Sequence, residues 1–120
     1  LRFSPESPAE TIKERIHAVL DRHGLDYTVT WTLSAEPFMT RVGPLVQAVR
    51  EAVTAVTGVS PALSTSGGSS DGRFLATISR EVVEFGPSNA TAHKVYEHIR
   101  LADLAPLSRI YESVLRRLLA

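Results

Sequence analysis

Between Ser7 and Leu33 the period of the apolar residues changes from helical to alternating, and this confines the start of the chain to a helix followed by a strand. Ser7-Pro8-Ala9-Glu10 puts a serine at the N-cap, a proline at the first helical position and a glutamate at the third. Ile12, Ile16, Val19 and Leu20 then recur at helical spacing, and Gly24 supplies the stop. Tyr27, Val29, Trp31 and Leu33 alternate with Thr28, Thr30 and Thr32, as in a half-buried strand. Leu1-Arg2-Phe3-Ser4 alternates too and reads as the end of an earlier strand. Ser34-Ala35-Glu36-Pro37-Phe38 breaks the pattern and marks a hinge, so residues 1–34 and 35–120 are expected to form separate domains.

Beyond the hinge, Gly43-Pro44 opens a helix striped by Leu45, Val46, Val49, Ala52, Val53 and Val56, and Gly58 closes it. A short strand is expected near Ala62-Leu63 and a helix from about Ser70 carrying Phe74, Leu75 and Ile78. A strand over 81–85 follows, then a last helix from about Asp103 to Leu119 that buries Leu104, Leu107, Ile110, Tyr111, Val114, Leu115 and Leu118. This alternation predicts an α/β layer architecture. Ligands of such sheets gather beyond the carboxyl ends of the strands. The polar loops 64–73 and 86–93 both follow expected strands and so should share one crevice.

Composition removes several function classes. Thirteen basic residues balance thirteen acidic ones, which leaves no positive field for nucleic acid and no polybasic patch for a membrane. There is no cysteine for a disulfide or a thiolate zinc site. No apolar run reaches membrane-spanning length, and no signal-peptide pattern opens the chain. The chain begins at Leu1, already in strand-like sequence, which reads as a piece of something longer.

The residues themselves leave several roles open. Gly67, Gly68, Ser69 and Ser70 lack bulk, so their amides suit close approach to an anion at a helix start; they equally suit an ordinary strand-to-helix turn with Ser70 as cap. The Lys-Ser/Thr ending of a phosphate-binding loop is missing. Asp71 fits a helix-dipole partner, and Arg73 fits either a two-pronged carboxylate clamp or a solvated arginine. His93 lies in a polar loop. It could ligate a metal, but zinc needs three or four ligands, and neither Glu97 nor His98 stands at a recognised ligand spacing from it. Asn89 suits a ligand hydrogen bond or simply a turn. His17 and His23 read as solvated. A Ser-His-Asp hydrolase built from Ser69 or Ser70, His93 and Asp71 would lack its nucleophile elbow.

Four segments in order carry a resemblance. Ser64-Thr65-Ser66-Gly67-Gly68-Ser69-Ser70-Asp71-Gly72-Arg73-Phe74 resembles a Ser/Thr-Thr-Gly-Gly-Thr-Ser-Asp-Gly-Arg-Phe signature of the M20 family of zinc peptidases and aminoacylases. Residues 83–94, Val-Glu-Phe-Gly-Pro-Ser-Asn-Ala-Thr-Ala-His-Lys, resemble the stretch that ends in that family's last metal-binding histidine. Leu1-Arg2-Phe3-Ser4 and Ser34-Ala35-Glu36-Pro37-Phe38 resemble further family segments.

The resemblance implies that residues 35–120 are the C-terminal part of a zinc-peptidase-like catalytic domain. Residues 1–34 would be the end of a ferredoxin-like (βαββαβ) dimerisation lid. It implies two Zn2+ ions per complete subunit, with Co2+ as a possible substitute, and hydrolysis of the amide of N-succinyl-LL-diaminopimelate to succinate and LL-diaminopimelate for lysine and peptidoglycan synthesis. The setting implied is a homodimer in the bacterial cytoplasm, without nucleic acid or membrane. His93 matches the metal ligand. Arg2, Ser34, Gly68, Ser69, Arg73 and Asn89 match substrate-binding positions. The general-base glutamate would lie upstream, so no catalytic residue falls in this segment, and the chain by itself is expected to be inactive. Ser69 stands where the family has threonine and keeps the hydroxyl; Ala35, Glu36 and Tyr96 replace a usual Gly, Gln or Lys, and Asn. Two other readings remain: a relative acting on another N-acyl amino acid such as acetylornithine, and a non-catalytic dimerisation or ligand-binding module. Arg73 suits the doubly acidic acyl amino acid better than a monoacidic one.

Overall fold

The computed structural model describes residues 1–65, 70–88 and 90–120. It contains four α-helices: α1 (Ala9–Arg22), α2 (Pro44–Thr57), α3 (Gly72–Leu75) and α4 (Leu104–Leu119), the last preceded by a 3-10 turn at Leu101–Asp103. The chain forms two compact units, Leu1–Met39 and Thr40–Ala120. No strand occurs among the described residues.

The expected α/β layering is therefore not seen among the described residues. Segments 1–4, 27–33, 62–63 and 81–85 have strand-like patterns but form no ladder among the described residues. A pattern sets which side chains point inward; a strand also needs a neighbour to accept its backbone hydrogen bonds. The pattern survives as burial only in part: Tyr27, Val29 and Trp31 are half-buried while Thr28, Thr30 and Thr32 are exposed, but Leu33 is exposed as well.

In the first unit, α1 starts one residue later than its cap signal suggests. Ser7 donates its backbone N–H to the Ser4 carbonyl (2.9 Å), and Pro8 takes the N-cap position without a side-chain cap bond. The far end follows the expected stop. Gly24 has φ +61° and donates to Asp21 O (2.9 Å), and Leu25 donates to Leu20 O (3.3 Å), the paired bonds of a Schellman ending. Ile12, Ile16 and Leu20 are half-buried, and no residue of α1 is fully buried. His17 is not solvated as its helical position suggested: it accepts from Trp31 Nε1 (3.2 Å) and lies 2.8 Å from the Tyr27 hydroxyl.

The second unit is built on α2 against α4. Ala48, Ala52 and Val53 of α2 meet Ile110 and Val114 of α4, with Leu45, Val49, Val56 and Phe85 around them. Ala52 is fully inaccessible, which lets the two helices approach closely. Of the expected α4 stripe, Ile110 and Val114 are buried, whereas Leu104, Tyr111, Leu115 and Leu118 are exposed. An Arg117–Glu51 ion pair also joins the helices. Segment 81–85 is held by side chains. Tyr111 donates its hydroxyl to Phe85 O (2.7 Å), and the two rings meet edge-on at 5.9 Å. Thr40 Oγ1 donates to Val82 O (2.6 Å) and accepts from Val82 N (3.1 Å).

Glu81 caps α2 from a distance. Its Oε2 accepts from Leu45 N (2.8 Å) and Val46 N (3.4 Å), so a carboxylate sits on the positive end of the helix. A Cβ added at Gly43 would come within 2.2 Å of Glu81 Oε1. Glu81→Ala and Gly43→Ala are each expected to lower stability by about 1 kcal/mol by removing or displacing the same cap. In a double-mutant cycle the two losses should not add; full additivity in denaturant unfolding would refute a shared cause.

Candidate active site

The expected site residues fall in different parts of the chain. Arg2 and Ser34 belong to the first unit, and both are exposed. Arg73 and His93 belong to the second. Gly68, Ser69 and Asn89 lie outside the described residues.

Arg73 sits in α3, a single turn rather than the longer helix expected from Ser70; Phe74, Leu75 and Ile78 are exposed instead of packed. Ser70 does not cap that turn by starting a long helix. Its hydroxyl accepts from Gly72 N (2.9 Å) and donates to the Glu84 carboxylate, tying the far end of the glycine-rich stretch to the 81–85 segment. Asp71 occupies the N-cap with helical dihedrals and no side-chain cap bond. The Arg73 guanidinium lies over the Phe74 ring, 4.8 Å from its centroid. Its Nε is buried and has no hydrogen-bond partner among the described residues. A buried guanidinium donor left unsatisfied is costly, and an acidic ligand would satisfy it.

His93 is displayed on a turn of strained backbone. It has φ +62° and Tyr96 has φ +63°, left-handed conformations that cost a non-glycine residue about 1–2 kcal/mol. Local bonds hold this shape. Lys94 N donates to Thr91 O (3.0 Å), and His93 N donates to Glu97 Oε2 (3.3 Å). Thr91 Oγ1 donates to His98 O (2.7 Å) and accepts from His98 N (3.2 Å), pinning the loop across its base. His98 Nδ1 lies 2.7 Å from Tyr96 O, and Lys94 Nζ donates to Ala90 O (2.7 Å). The His93 side chain is exposed, and its ring makes no hydrogen bond among the described residues. At φ +63° Tyr96 holds a backbone conformation that asparagine would tolerate at lower cost.

The described residues do not complete a zinc centre. No group of three or more His, Asp or Glu side chains is placed to hold a metal among them, whereas zinc requires three or four ligands. Sequence reasoning missed Thr91 and Glu84, whose side chains hold loops. Glu97 and His98 were weighed only as metal ligands, and the turn that gives them another role is visible only in three dimensions.

The family model for peptidase family M20/M25/M40 matches residues 3–117, and the chain belongs to that family. Membership fits a zinc-peptidase-like fold. Among its relatives, a succinyl-diaminopimelate desuccinylase of Alkalilimnicola ehrlichii is 60% identical over 98% of this chain, and one of Acidovorax ebreus is 56% identical over 98%. A protein of the same name from Thioalkalivibrio sulfidiphilus is 55% identical over 99%. The chain spans 32%, 30% and 32% of the length of these three relatives. Among the described residues no helix is long and apolar enough to cross a membrane.

Proposed function

We propose that the chain is the C-terminal part of a metal-dependent amidohydrolase that cleaves N-succinyl-LL-diaminopimelate to succinate and LL-diaminopimelate. The reading is carried by 60% identity across 98% of the chain to a relative named for that reaction. Water adds across the amide: the succinyl carbonyl carbon gains the hydroxyl, and the amine nitrogen leaves with a proton. In this reading the parent enzyme is a bacterial, cytoplasmic homodimer that uses two zinc ions, or Co2+ in their place. The first unit is the end of a ferredoxin-like lid that mediates dimerisation, and the second is part of the catalytic domain. The extended segments 1–4, 27–33, 62–63 and 81–85 would then gain sheet neighbours from the rest of the parent chain.

The residues here bind and present groups. We assign His93 as a metal ligand and Arg2, Ser34, Gly68, Ser69, Arg73 and Asn89 as substrate contacts. Arg73 is supported by chemistry: its buried Nε, without a partner among the described residues, belongs to a half-covered guanidinium that matches a substrate rich in carboxylates. Arg73→Lys keeps the charge and loses the planar fork. In the parent enzyme it should raise KM for the succinylated substrate about tenfold with little change in kcat. An unchanged KM in steady-state assays would remove Arg73 from the substrate site.

A further inference from the structure

His17 lies half-buried on α1 against the segment that follows the helix. Trp31 Nε1 stands 3.2 Å from its Nε2, and the Tyr27 hydroxyl stands 2.8 Å from its Nδ1. The same hydroxyl donates to Asp21 Oδ1 at 2.8 Å. The imidazole meets the indole edge-on at 5.9 Å between centroids and lies 5.6 Å from the phenol ring.

The chemistry of these groups fixes the direction of every bond. An indole N–H only donates, so Nε2 must present a lone pair. A carboxylate only accepts, so the Tyr27 proton points at Asp21 and leaves an oxygen lone pair facing Nδ1. Nδ1 therefore carries the proton. The chain Trp31 to His17 to Tyr27 to Asp21 runs one way, and only the neutral Nδ1–H tautomer completes it. The hydrogen bond to Asp21, with smaller contributions from desolvation and the carboxylate charge, raises the Tyr27 pKa, so its hydroxyl stays protonated at neutral pH.

We propose that His17 is a pH-operated latch that holds the 27–33 segment on α1, closed by the neutral imidazole and opened at Trp31 when Nε2 takes a proton. Protonation would set an imidazolium N–H against an indole N–H across 3.2 Å, and Trp31 would lose its acceptor. The Nδ1 side would stay, because Asp21 lies behind the Tyr27 hydroxyl. The groups that face the ring are Tyr27 from the segment and, through it, Asp21 from α1. Lys13 and Glu14 stand one helical turn earlier, with Lys13 paired to Glu10. The contact is complete with the neutral Nδ1–H imidazole and is lost when Nε2 takes a proton. The latch matters in the chain by itself, where residues 26–33 make no backbone–backbone hydrogen bonds among the described residues; sheet neighbours in the parent enzyme would add a second tie. Side-chain bonds are what tie this stretch to the helix.

Trp31 is the chain's single tryptophan, so its indole N–H is a unique NMR reporter. The test uses the 120-residue chain and its His17→Gln variant, whose side-chain carbonyl still accepts from the indole but does not titrate. Imidazole 15N shifts at about pH 8 should report the Nδ1–H tautomer for His17. Indole hydrogen exchange, corrected for its intrinsic pH dependence, should speed up about tenfold on acidification to about pH 5, the scale of one lost hydrogen bond. In His17→Gln the change should stay below about twofold. An Nε2–H tautomer at the higher pH, no acceleration in the unsubstituted chain, or the same acceleration in His17→Gln would overturn the proposal.

Discussion

Replacing His93 by alanine in the parent enzyme is expected to lower kcat/KM for N-succinyl-LL-diaminopimelate by about three orders of magnitude, roughly 4 kcal/mol of transition-state stabilisation. The expectation joins the proposed role to the local geometry. The ring is exposed and makes no hydrogen bond among the described residues, so it contributes little to the fold. The loop that displays it is held by the Thr91–His98 pair and by Glu97 on the His93 backbone N–H, none of which uses the imidazole. Activity should therefore collapse while thermal unfolding moves little. Alanine is less at ease than histidine at φ +62°, so His93→Asn provides a second variant suited to that backbone. Loss of activity in both variants, with native circular dichroism, would separate ligation from backbone strain. Near-normal activity in either one would remove His93 from the metal site.

The largest stability effect is expected at Ile110. It is 3% exposed and packs with Val114 against Ala48, Ala52 and Val53. Truncation to alanine removes buried methyl groups and leaves a cavity between helices whose close approach is already fixed by Ala52. The cost should be about 3 kcal/mol, near the middle of the range for buried aliphatic truncations. That is a large share of the marginal stability of a domain of this size. Leu115, on the same helix but 57% exposed, should cost below about 0.5 kcal/mol when truncated. Chemical denaturation of the two variants in parallel checks this; equal losses would mean that the α2–α4 interface is not the core.

The helices were legible because their signals are local. Gly43-Pro44 and Gly58 bracket α2 as read, with Gly58 at φ +73°, and Gly24 closes α1 through bonds that span six residues or fewer. The strands were not legible in the same sense. Tyr27, Val29 and Trp31 show the burial that their alternation predicts, but a ladder depends on neighbours that no local pattern specifies. His17 was misread for a related reason: a helical wheel sees only its own helix, and the partners of His17 lie ten and fourteen residues on. Glu81 caps a helix whose bonded N–H is 36 residues away. For the site, the residues alone left Arg73 and His93 with two readings each. The resemblance of the two polar loops to a family signature is what supports the proposed roles over the alternatives. The positive φ at His93 and Tyr96 is a separate sign that this turn is built under constraint, and no propensity of His or Tyr announces it.

The most direct test is hydrolysis of N-succinyl-LL-diaminopimelate by the purified, zinc-loaded parent enzyme, run beside N-acetylornithine. The account predicts rapid release of succinate from the first substrate and little turnover of the second. Turnover of acetylornithine alone would keep the amidohydrolase and discard the succinylated substrate, and no turnover of either would contradict the proposed function.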